Sequence, residues 1–343
     1  MSTNAYRAAG VDLQAANSLK ESIKAFATLS HGPQVLGGLG SFAGLYRLQG
    51  ASAYKNPVLA ASTDGVGTKL KIAVLMNHYE SIGMDLVNLS VDDIITCGAV
   101  PLFFLDYISM GRLDPQLVEP LMRGMVWACR EAGCALLGGE TAQSPGVYTG
   151  DNLDLAGTIV GVVEEDAVLG PSKVREGDVL LGLASSGLHT NGFSLIRKVF
   201  GIDDDPSILH RPYDELGHTL GEELLVPHRS YYPLLEPHFP RINAMAHISG
   251  GGLAGNIPRV LPDGLAARIR KGAWEPQPIF PLIQRVGDVD AAEMYRVFNM
   301  GMGMVLICNP EDWGHLQRAL PEAVVIGEVT KQSGLEQVTF IPS

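Results

Sequence analysis

Several apolar segments of the chain run straight into turns rich in glycine and polar side chains, and helix-forming sequence follows. Val58–Ser62 leads into Thr-Asp-Gly-Val-Gly-Thr-Lys, and Ala135–Leu137 leads into Gly-Gly-Glu-Thr. The apolar sequence before Ser185 leads into Ser-Ser-Gly-Leu-His-Thr-Asn. Strand, tight turn and helix in this order build α/β domains, whose ligand sites collect at the ends of strands. We therefore predict an α/β (α+β) protein with ligand sites at these turns.

Hydrophobic periodicity and helix signals predict the individual elements. Asp114 and Pro115 form an N-cap followed by proline at the first helical position, and Gly133 ends that helix. Val58–Ser62 is predicted as a buried strand, and Ala135–Leu137 as a short one. The other predicted elements are helices over 17–29, 85–97 and 312–320, and strands over 102–109, 153–163, 265–270, 302–308, 324–330 and 337–341.

Length and composition indicate two globular domains. The chain has 343 residues, and domains usually hold about 100–200. Its 46% hydrophobic and 18% charged content excludes a mainly disordered chain. The polar segment 170–179 has the composition of a surface connection. We place the domain boundary near it, with one domain over 1–168 and the other over 169–343.

Charge and cysteine usage exclude several classes of protein. A net charge of −12 argues against nonspecific binding to nucleic acid or anionic membranes, which depends on clustered Lys and Arg. The four cysteines form no C-x-x-C pair, and no histidine lies at zinc-finger spacing. No apolar run approaches the roughly 18 residues of a membrane helix, and the N-terminus lacks a signal-peptide core. We expect a cytoplasmic protein with reduced thiols.

Three carboxylates are candidates for a metal site. Asp64 and Glu140 follow predicted strands, and Asp93 is surrounded by apolar residues. Carboxylate oxygens suit Mg²⁺, which often bridges to substrate phosphates. Each residue also has a simpler interpretation. Asp64 could belong to an Asp-Gly turn, Asp92 and Asp93 could be one exposed helical aspartate and one that caps a backbone group, and Glu140 could cap a helix.

Glycines and a lysine in the same turns are candidates for a phosphate site. Gly65 and Gly67 would bring backbone N–H groups close to an anion, next to the Thr68 hydroxyl and the mobile charge of Lys69. The spacing of a Walker A loop is absent. The turn at Ser249–Gly252 offers a second group of backbone amides, or else a flexible linker.

The turn that contains His189 and Asn191 could bind an oxyanion, with His189 as an acid or base near neutral pH. A lone loop histidine is more often a surface or capping residue. The hydrolase elbow G-x-S-x-G is absent. Taken together, the carboxylates, glycine-polar turns, lysine and histidine indicate a Mg²⁺-nucleotide enzyme.

The sequence resembles the phosphoribosylformylglycinamidine cyclo-ligase (aminoimidazole ribonucleotide synthetase) family along nearly its whole length. The motifs that carry the resemblance occur in the family's order: AGVD (9–12), GGLGSF, STDGVGTKLKIA, DLVNLSVDDI, PLFFLDYIS, GGETAQSPGVY, DLAGTIVGVVE, GDVLLGLASSGLHTNGFSLIRK, HISGGGLAGNIPRVLP and EMYRVFNMGMGM. Six positions depart from the family pattern, namely Ala8, Ala16, Asp92, Gln143, Ser144 and Phe193.

The resemblance implies an enzyme of purine biosynthesis. The expected reaction is the ATP-dependent cyclisation of formylglycinamidine ribonucleotide to aminoimidazole ribonucleotide, with ADP and phosphate released, through a phosphorylated formamide oxygen. The expected molecule is a homodimer. Its N-terminal domain binds ATP and joins its sheet to that of its mate in a barrel. Its C-terminal domain, a mixed sheet with flanking helices, completes the substrate cleft.

The resemblance also implies roles for the candidate residues. Expected Mg²⁺ ligands are Asp64, Asp93 and Glu140. Expected nucleotide contacts are Asp64, Gly65, Gly67, Thr68, Lys69, Glu140 and Asn191. Expected catalytic residues are His189, Asp93 and Lys69, with His189 handling protons.

Two alternatives remain open from the sequence. One is an ATP-using relative of the same fold that acts on thiamine phosphate, selenide or a hydrogenase carbamoyl group. The GDDA motif of the thiamine-phosphate kinases and the N-terminal reactive cysteine of the selenide enzymes are both absent. The other is a catalytically silent nucleotide-binding or assembly protein, which would have no need of the carboxylates.

Overall fold

The computed structural model describes residues 13–36, 43–48, 54–150 and 152–342, without the side chains of 13–17. The predicted motifs at 9–12 and 37–42 and the departure at Ala8 lie outside the described residues, as does the side chain of Ala16. The Cα positions divide the chain into two units, Met1–Ile94 with Val100–Glu164, and Ile95–Ala99 with Glu165–Ser343. This division falls four residues before the boundary expected from the sequence.

The first unit is a mixed sheet with helices. Its helices are α1 (Leu13–Thr28), α2 (Lys69–Met76), α3 (Glu80–Ile95) and α4 (Pro115–Glu131), and its strands are β1 (Val35–Leu36), β2 (Leu45–Tyr46), β3 (Pro57–Gly65), β4 (Val100–Met110), β5 (Ala135–Gln143) and β6 (Leu153–Glu164). Four strands pair in the order β3-β6-β4-β5, all antiparallel except β4 with β5, and β1 pairs with β2.

Helices α3 and α4 approach each other through glycines. A Cβ added at Gly83 would lie 2.1 Å from the carbonyl oxygen of Leu121, and one at Gly124 would lie 1.9 Å from that of Glu80. The two helix backbones are therefore in direct contact.

The start of α4 is as predicted, because the Asp114 carboxylate accepts a hydrogen bond of 2.9 Å from the backbone N–H of Gln116.

The prediction of a buried strand at Val58–Ser62 is wrong. The strand exists, but β3 is an edge strand of the described sheet, and its apolar residues face outwards. Leu59 is 64% exposed and Val58 39%. An apolar run of strand length does not reveal whether another layer covers it, and within the described part of the first unit none covers Leu59.

The second unit is also α/β. Its helices are α5 (Phe193–Phe200), α6 (Leu220–Leu224), α7 (Tyr232–Leu235), α8 (Gly252–Asn256), α9 (Ile279–Gly287), α10 (Ala291–Val297) and α11 (Pro310–Ala319), and its strands are β7 (Val179–Ala184), β8 (Pro212–Tyr213), β9 (His218–Thr219), β10 (Ala244–His247), β11 (Leu265–Arg270), β12 (Met302–Cys308), β13 (Val324–Lys331) and β14 (Val338–Ile341). The sheet order is β10-β12-β7-β13-β11-β14, and only β11 and β14 pair in parallel. Strands β8 and β9 form a separate pair.

The core of the second unit forms on this six-stranded sheet. Every residue of β12 is buried, as expected for a strand with neighbours on both sides. The strands predicted at 265–270 and 302–308 are present with the same bounds, and those at 324–330 and 337–341 differ by one residue at one end. Among the described residues, no helix combines the length and apolar character needed to cross a membrane.

Candidate functional site

The end of β3 presents one acidic side chain to solvent. The strand continues through Gly65, so Asp64 is its penultimate residue, and the Asp64 Oδ1 atom accepts a hydrogen bond of 2.7 Å from the Gly65 backbone N–H. Gly67 has a φ of 56°, a left-handed conformation that favours glycine. Thr68 precedes the first residue of α2. The strand therefore leads through a tight turn into a helix N-terminus, as predicted.

Asp93 lies next to this strand. It projects from α3, half-buried, and its Oδ2 atom accepts a hydrogen bond of 3.0 Å from the Ser62 hydroxyl. Ser62 and Asp64 are two residues apart on β3, so their side chains share one face of the sheet. The structure thus brings Asp64 and Asp93 to the same face. Asp92, by contrast, is fully buried.

Glu140 lies elsewhere than predicted. Strand β5 does not end at Leu137 but continues to Gln143, so Glu140 lies within the strand and is exposed. Its Cα is paired with that of Tyr107 on β4. The neighbouring row of paired residues across the sheet contains Asp64 and Asp106. Because side chains alternate between faces, the pairing places Glu140 on the opposite face from Asp64.

Asp106 is a feature of this sheet that sequence reasoning missed. It lies on β4, across Gly157 from Asp64 and beside Gly139, and it is 8% exposed. Burial, assisted by the nearby charge of Glu140, raises the pKa of the Asp106 carboxyl to about 7, although a backbone hydrogen bond opposes the shift. In the motif PLFFLDYIS this aspartate interrupts a long apolar run. An acidic residue inside a buried strand was the sequence signal that could have identified it.

Lys69 is not at the surface of this site. Its ammonium lies 2.7 Å from the Oδ2 atom of Asp85 on α3, and both side chains are completely buried. In this conformation the charge cannot meet a phosphate in solvent. A phosphate contact would require Lys69 to leave the ion pair.

In the second unit, the turn after β7 is held in place by side chains from distant segments. Asn299 donates a hydrogen bond of 2.9 Å to the Gly187 carbonyl and accepts one of 3.3 Å from the Ser185 hydroxyl. Gln277 donates one of 2.7 Å to the Ser185 carbonyl. Sequence reasoning missed both residues, although Asn299 lies in the quoted motif EMYRVFNMGMGM.

Asn191 lies beside the second glycine turn. A Cβ at Gly250 would lie 3.1 Å from the Asn191 Oδ1 atom. Asn256 fixes that turn from within, because its side-chain nitrogen donates to the carbonyls of Ser249, Gly250 and Gly252 at 3.3, 3.2 and 2.9 Å. The turn at Ser249–Gly252 is therefore an ordered loop and not a flexible linker.

His189 is buried in a cluster of three histidines. Its backbone has a φ of 58°, which is costly for a residue with a side chain, by the order of 1 kcal/mol. The ring stacks on that of His228, with centroids 3.8 Å apart, and His228 meets His247 edge-on at 5.2 Å. The side chains are 2%, 1% and 8% exposed. His189 is thus neither a surface nor a capping residue.

No sequence motif signals this cluster. His228 and His247 follow His189 by 39 and 58 residues, a spacing that matches no common motif. Only the pairing of β10 with β12 and the chain between α6 and α7 bring them together.

Comparison with known families identifies both halves of the chain. The family model described as "AIR synthase related protein, N-terminal domain" matches residues 43–163. The model described as "AIR synthase related protein, C-terminal domain" matches residues 175–338.

Solved structures share this architecture. A thiamine-monophosphate kinase from Stenotrophomonas maltophilia superposes with a TM-score of 0.67 at 17% identity, over 93% of this chain and 94% of that one. The hydrogenase maturation protein HypE in complex with ATP gives a TM-score of 0.67 at 17% identity, over 93% and 89% of the two chains. These structures show the mixed α/β two-domain fold.

Curated relatives are much more similar in sequence. A phosphoribosylformylglycinamidine cyclo-ligase from Desulfitobacterium hafniense is 48% identical over 98% of this chain and 99% of its own length. One from Thermoanaerobacter pseudethanolicus is 46% identical over 96% and 98%. Identity of this extent over both domains shows that the chain belongs to the phosphoribosylformylglycinamidine cyclo-ligase family.

Proposed function

We propose that the protein catalyses the ATP-dependent cyclisation of formylglycinamidine ribonucleotide to aminoimidazole ribonucleotide, with ADP and phosphate as the other products. The observation that carries this proposal is the 48% identity that spans 98% of the chain. The acidic residues that the resemblance assigns to the nucleotide site are also all present, at Asp64, Asp93 and Glu140. A silent scaffold would have no need of such a set.

The donor chemistry of this region fits Mg²⁺. Asp64 and Asp93 supply hard oxygen ligands on one face, and the hydrogen bond from Ser62 orients the Asp93 carboxylate. Glu140 lies on the opposite face of the sheet and is not part of this donor set. A bound Mg²⁺ would neutralise charge on the phosphates of ATP.

The ring closure has two bond-forming steps in this proposal. The formamide oxygen attacks the γ-phosphorus of ATP, and ADP leaves. The amidine nitrogen then attacks the activated carbon and loses a proton, and phosphate departs with the former formamide oxygen. His189 is our candidate to take that proton, on the family resemblance of its motif. The amides near Asn191 and Ser249–Gly252 are candidates for phosphate contacts.

We further propose that the protein acts as a homodimer in which the sheets of the first units join in a barrel. The exposed Leu59 and Tyr107, at 64% and 41%, support this arrangement, as does the edge position of β3. An uncovered apolar face and an unpaired strand edge are both features that a second copy could cover. A cytoplasmic location is part of the proposal, and all four cysteines are free thiols.

The test is direct. Purified protein is incubated with ATP, Mg²⁺ and formylglycinamidine ribonucleotide, and aminoimidazole ribonucleotide and ADP are measured by liquid chromatography. We expect equal amounts of both products. Folded dimer that forms no aminoimidazole ribonucleotide would overturn the proposal, and ATP binding without turnover would favour the silent nucleotide-binding alternative.

A single substitution tests the acidic site. Asp64→Asn keeps the shape of the side chain but removes its charge, so we expect most of the activity to be lost, by about a hundredfold or more, with unfolding unchanged. The matched control is Asp166→Asn, at another exposed aspartate, which should keep full turnover. Near wild-type turnover in Asp64→Asn would refute the role of Asp64.

A further inference from the structure

We propose that His189, His228 and His247 form a binding site for one divalent transition-metal ion in the second unit. The three rings come from different segments: the turn after β7, the chain between α6 and α7, and the end of β10. One ring nitrogen from each residue lies within 4.8 Å of the others. The ion is distinct from Mg²⁺, and because a metal-bound neutral imidazole has no nitrogen left to accept a proton, metal binding and the proposed proton role of His189 are alternative uses of one ring.

The distances are close to those of a metal centre. With metal–nitrogen bonds of about 2.0–2.1 Å, two imidazole nitrogens on a tetrahedral ion lie about 3.3 Å apart. The observed limit of 4.8 Å exceeds this by about 1.5 Å. The rings must move to close this difference, and the stack of His189 on His228 must open so that both rings can point a nitrogen at one ion. The fold therefore brings the three residues together, and the ion would complete the arrangement.

The stacking of two of the rings disfavours a positive charge on both of them. The rings of His189 and His228 stack at 3.8 Å with an interplanar angle of 28°, and two imidazolium ions at that distance would repel each other strongly. Neutral imidazole is the form that binds metals.

The composition of the cluster selects the class of ion. The group contains three imidazoles and no carboxylate. Imidazole suits Zn²⁺, Co²⁺, Ni²⁺ and Cu²⁺, whereas Mg²⁺ and Ca²⁺ prefer oxygen ligands. Three protein ligands leave a fourth position of a tetrahedral ion open for water or another ligand. The sequence excluded a zinc finger on spacing alone, and this site uses no such spacing.

The surroundings are shaped to fit the rings. A Cβ at Gly303 on β12 would lie 2.6 Å from the His189 Cε1 atom and 2.0 Å from the Tyr231 hydroxyl oxygen. Only glycine leaves room there for both side chains. A hydrogen bond competes with binding, because the His189 Nε2 atom accepts one of 3.2 Å from the Ser186 N–H. A neutral ring that binds a metal has no second acceptor nitrogen, so this long hydrogen bond must break.

The experiment measures metal binding by the full-length protein after removal of metals with a chelator. Zn²⁺ binding is followed by competition with a chromophoric chelator, and Co²⁺ binding by visible absorption. We expect one ion per chain, the intense bands of tetrahedral Co²⁺, and a shift of the Ser186 amide resonance. His228→Asn and His247→Asn should each weaken metal binding by roughly a hundredfold or more. Loss of a group that only hydrogen-bonds to a ligand costs about 10–100-fold in metal affinity, and loss of the ligand itself should cost more.

The matched control is His238→Asn. His238 and His315 form a second histidine pair, with ring centroids 6.3 Å apart. Metal bound weakly at this pair could be mistaken for binding at the three-histidine cluster. The control should keep wild-type affinity. Folding of each variant is checked by thermal unfolding, and two independent variants guard against the failure of one. No stoichiometric binding by the wild type, an octahedral Co²⁺ spectrum, or a loss of affinity in His238→Asn alone would overturn the proposal.

Discussion

Lys69 and Asp85 show how one buried contact changes the expected role of a residue. A lysine after a glycine turn is a plausible phosphate ligand by composition, yet its ammonium is fully buried at 2.7 Å from a carboxylate. A buried ion pair contributes little net stability compared with apolar residues of the same shape, but removal of one partner leaves an unpaired buried charge. The pair therefore ties α2 to α3.

Removal of Lys69 should therefore destabilise the protein. Lys69→Met leaves Asp85 charged and buried, so we expect a loss of about 3–5 kcal/mol in the free energy of unfolding. The double variant Lys69→Met with Asp85→Leu should recover most of it. Urea unfolding followed by circular dichroism measures both. A loss below about 1 kcal/mol in the single variant would mean that the lysine is exposed in solution and free to meet a phosphate.

Asp106 makes the stability of the first unit depend on pH. Its pKa rises from 3.8 in a free chain to about 7 in the fold. The folded state therefore holds a proton that the unfolded state releases. The resulting stabilisation is complete below pH 3.8 and is lost as the pH rises through 7.

Asp106→Asn removes this titration. We expect the stability of the wild type relative to the variant to fall between pH 3.8 and pH 7, by about 4 kcal/mol in all. Urea unfolding of both proteins without nucleotide or metal, at several pH values, measures the difference. If the two unfolding curves stay parallel across this range, the carboxyl is ionised in the fold and the assigned burial effect is wrong.

At the scale of elements, the contact of α3 with α4 depends on glycine. Gly124 lies inside a helix, where alanine would normally be better by about 0.5–1 kcal/mol. At this position, however, a Cβ would lie 1.9 Å from the Glu80 carbonyl oxygen, which is backbone and cannot rotate away. The helices would have to separate.

Gly124→Ala should therefore destabilise the protein by about 1–3 kcal/mol, the usual cost of overpacking, in spite of the gain in helix propensity. Gly314 is the matched control, because it also lies inside a helix, α11, and a Cβ there would meet only Arg318 at 3.8 Å. Gly314→Ala should stabilise by about 0.5–1 kcal/mol. Thermal and urea unfolding compare the two, and equal effects would disprove the close crossing.

Elements with local signals were the predictable ones. The start of α4 was predicted because Asp114 and Pro115 act within one turn, and Gly133 marks its end with a φ of 67°. Strand β5 was predicted too short, because its glycines suggested a turn while pairing with β4 keeps them extended to Gln143. Hydrogen bonds to a neighbouring strand outweigh local propensity, and the sequence does not display the neighbour.

At the scale of the whole molecule, the family pattern carried more information than any local one. It predicted the mixed α/β two-domain fold and the family, because motifs in a fixed order over the whole length rarely arise by chance. It could not predict which side chains meet. Lys69 pairs with a residue 16 positions away in sequence, and His189 stacks on one 39 positions away. These contacts depend on how helices and strands pack, and no spacing rule encodes them.

The outer face of β3 raises the question of what covers it in solution. Leu59 is 64% exposed on an edge strand, and Tyr107 is 41% exposed two strands away. Edge strands with apolar side chains invite pairing with another chain unless charges or proline prevent it. A second copy of this sheet would cover the face and satisfy the edge.

Leu59→Lys tests this at the level of the assembly. In the proposed dimer the second copy covers Leu59, so a lysine there would place a desolvated charge in the interface; we expect mostly folded monomer at micromolar concentrations in sedimentation velocity. Leu335→Lys is the matched control, because Leu335 is fully exposed in the second unit and its substitution should leave the dimer intact. A dimer that survives Leu59→Lys with unchanged affinity would place the interface on another surface.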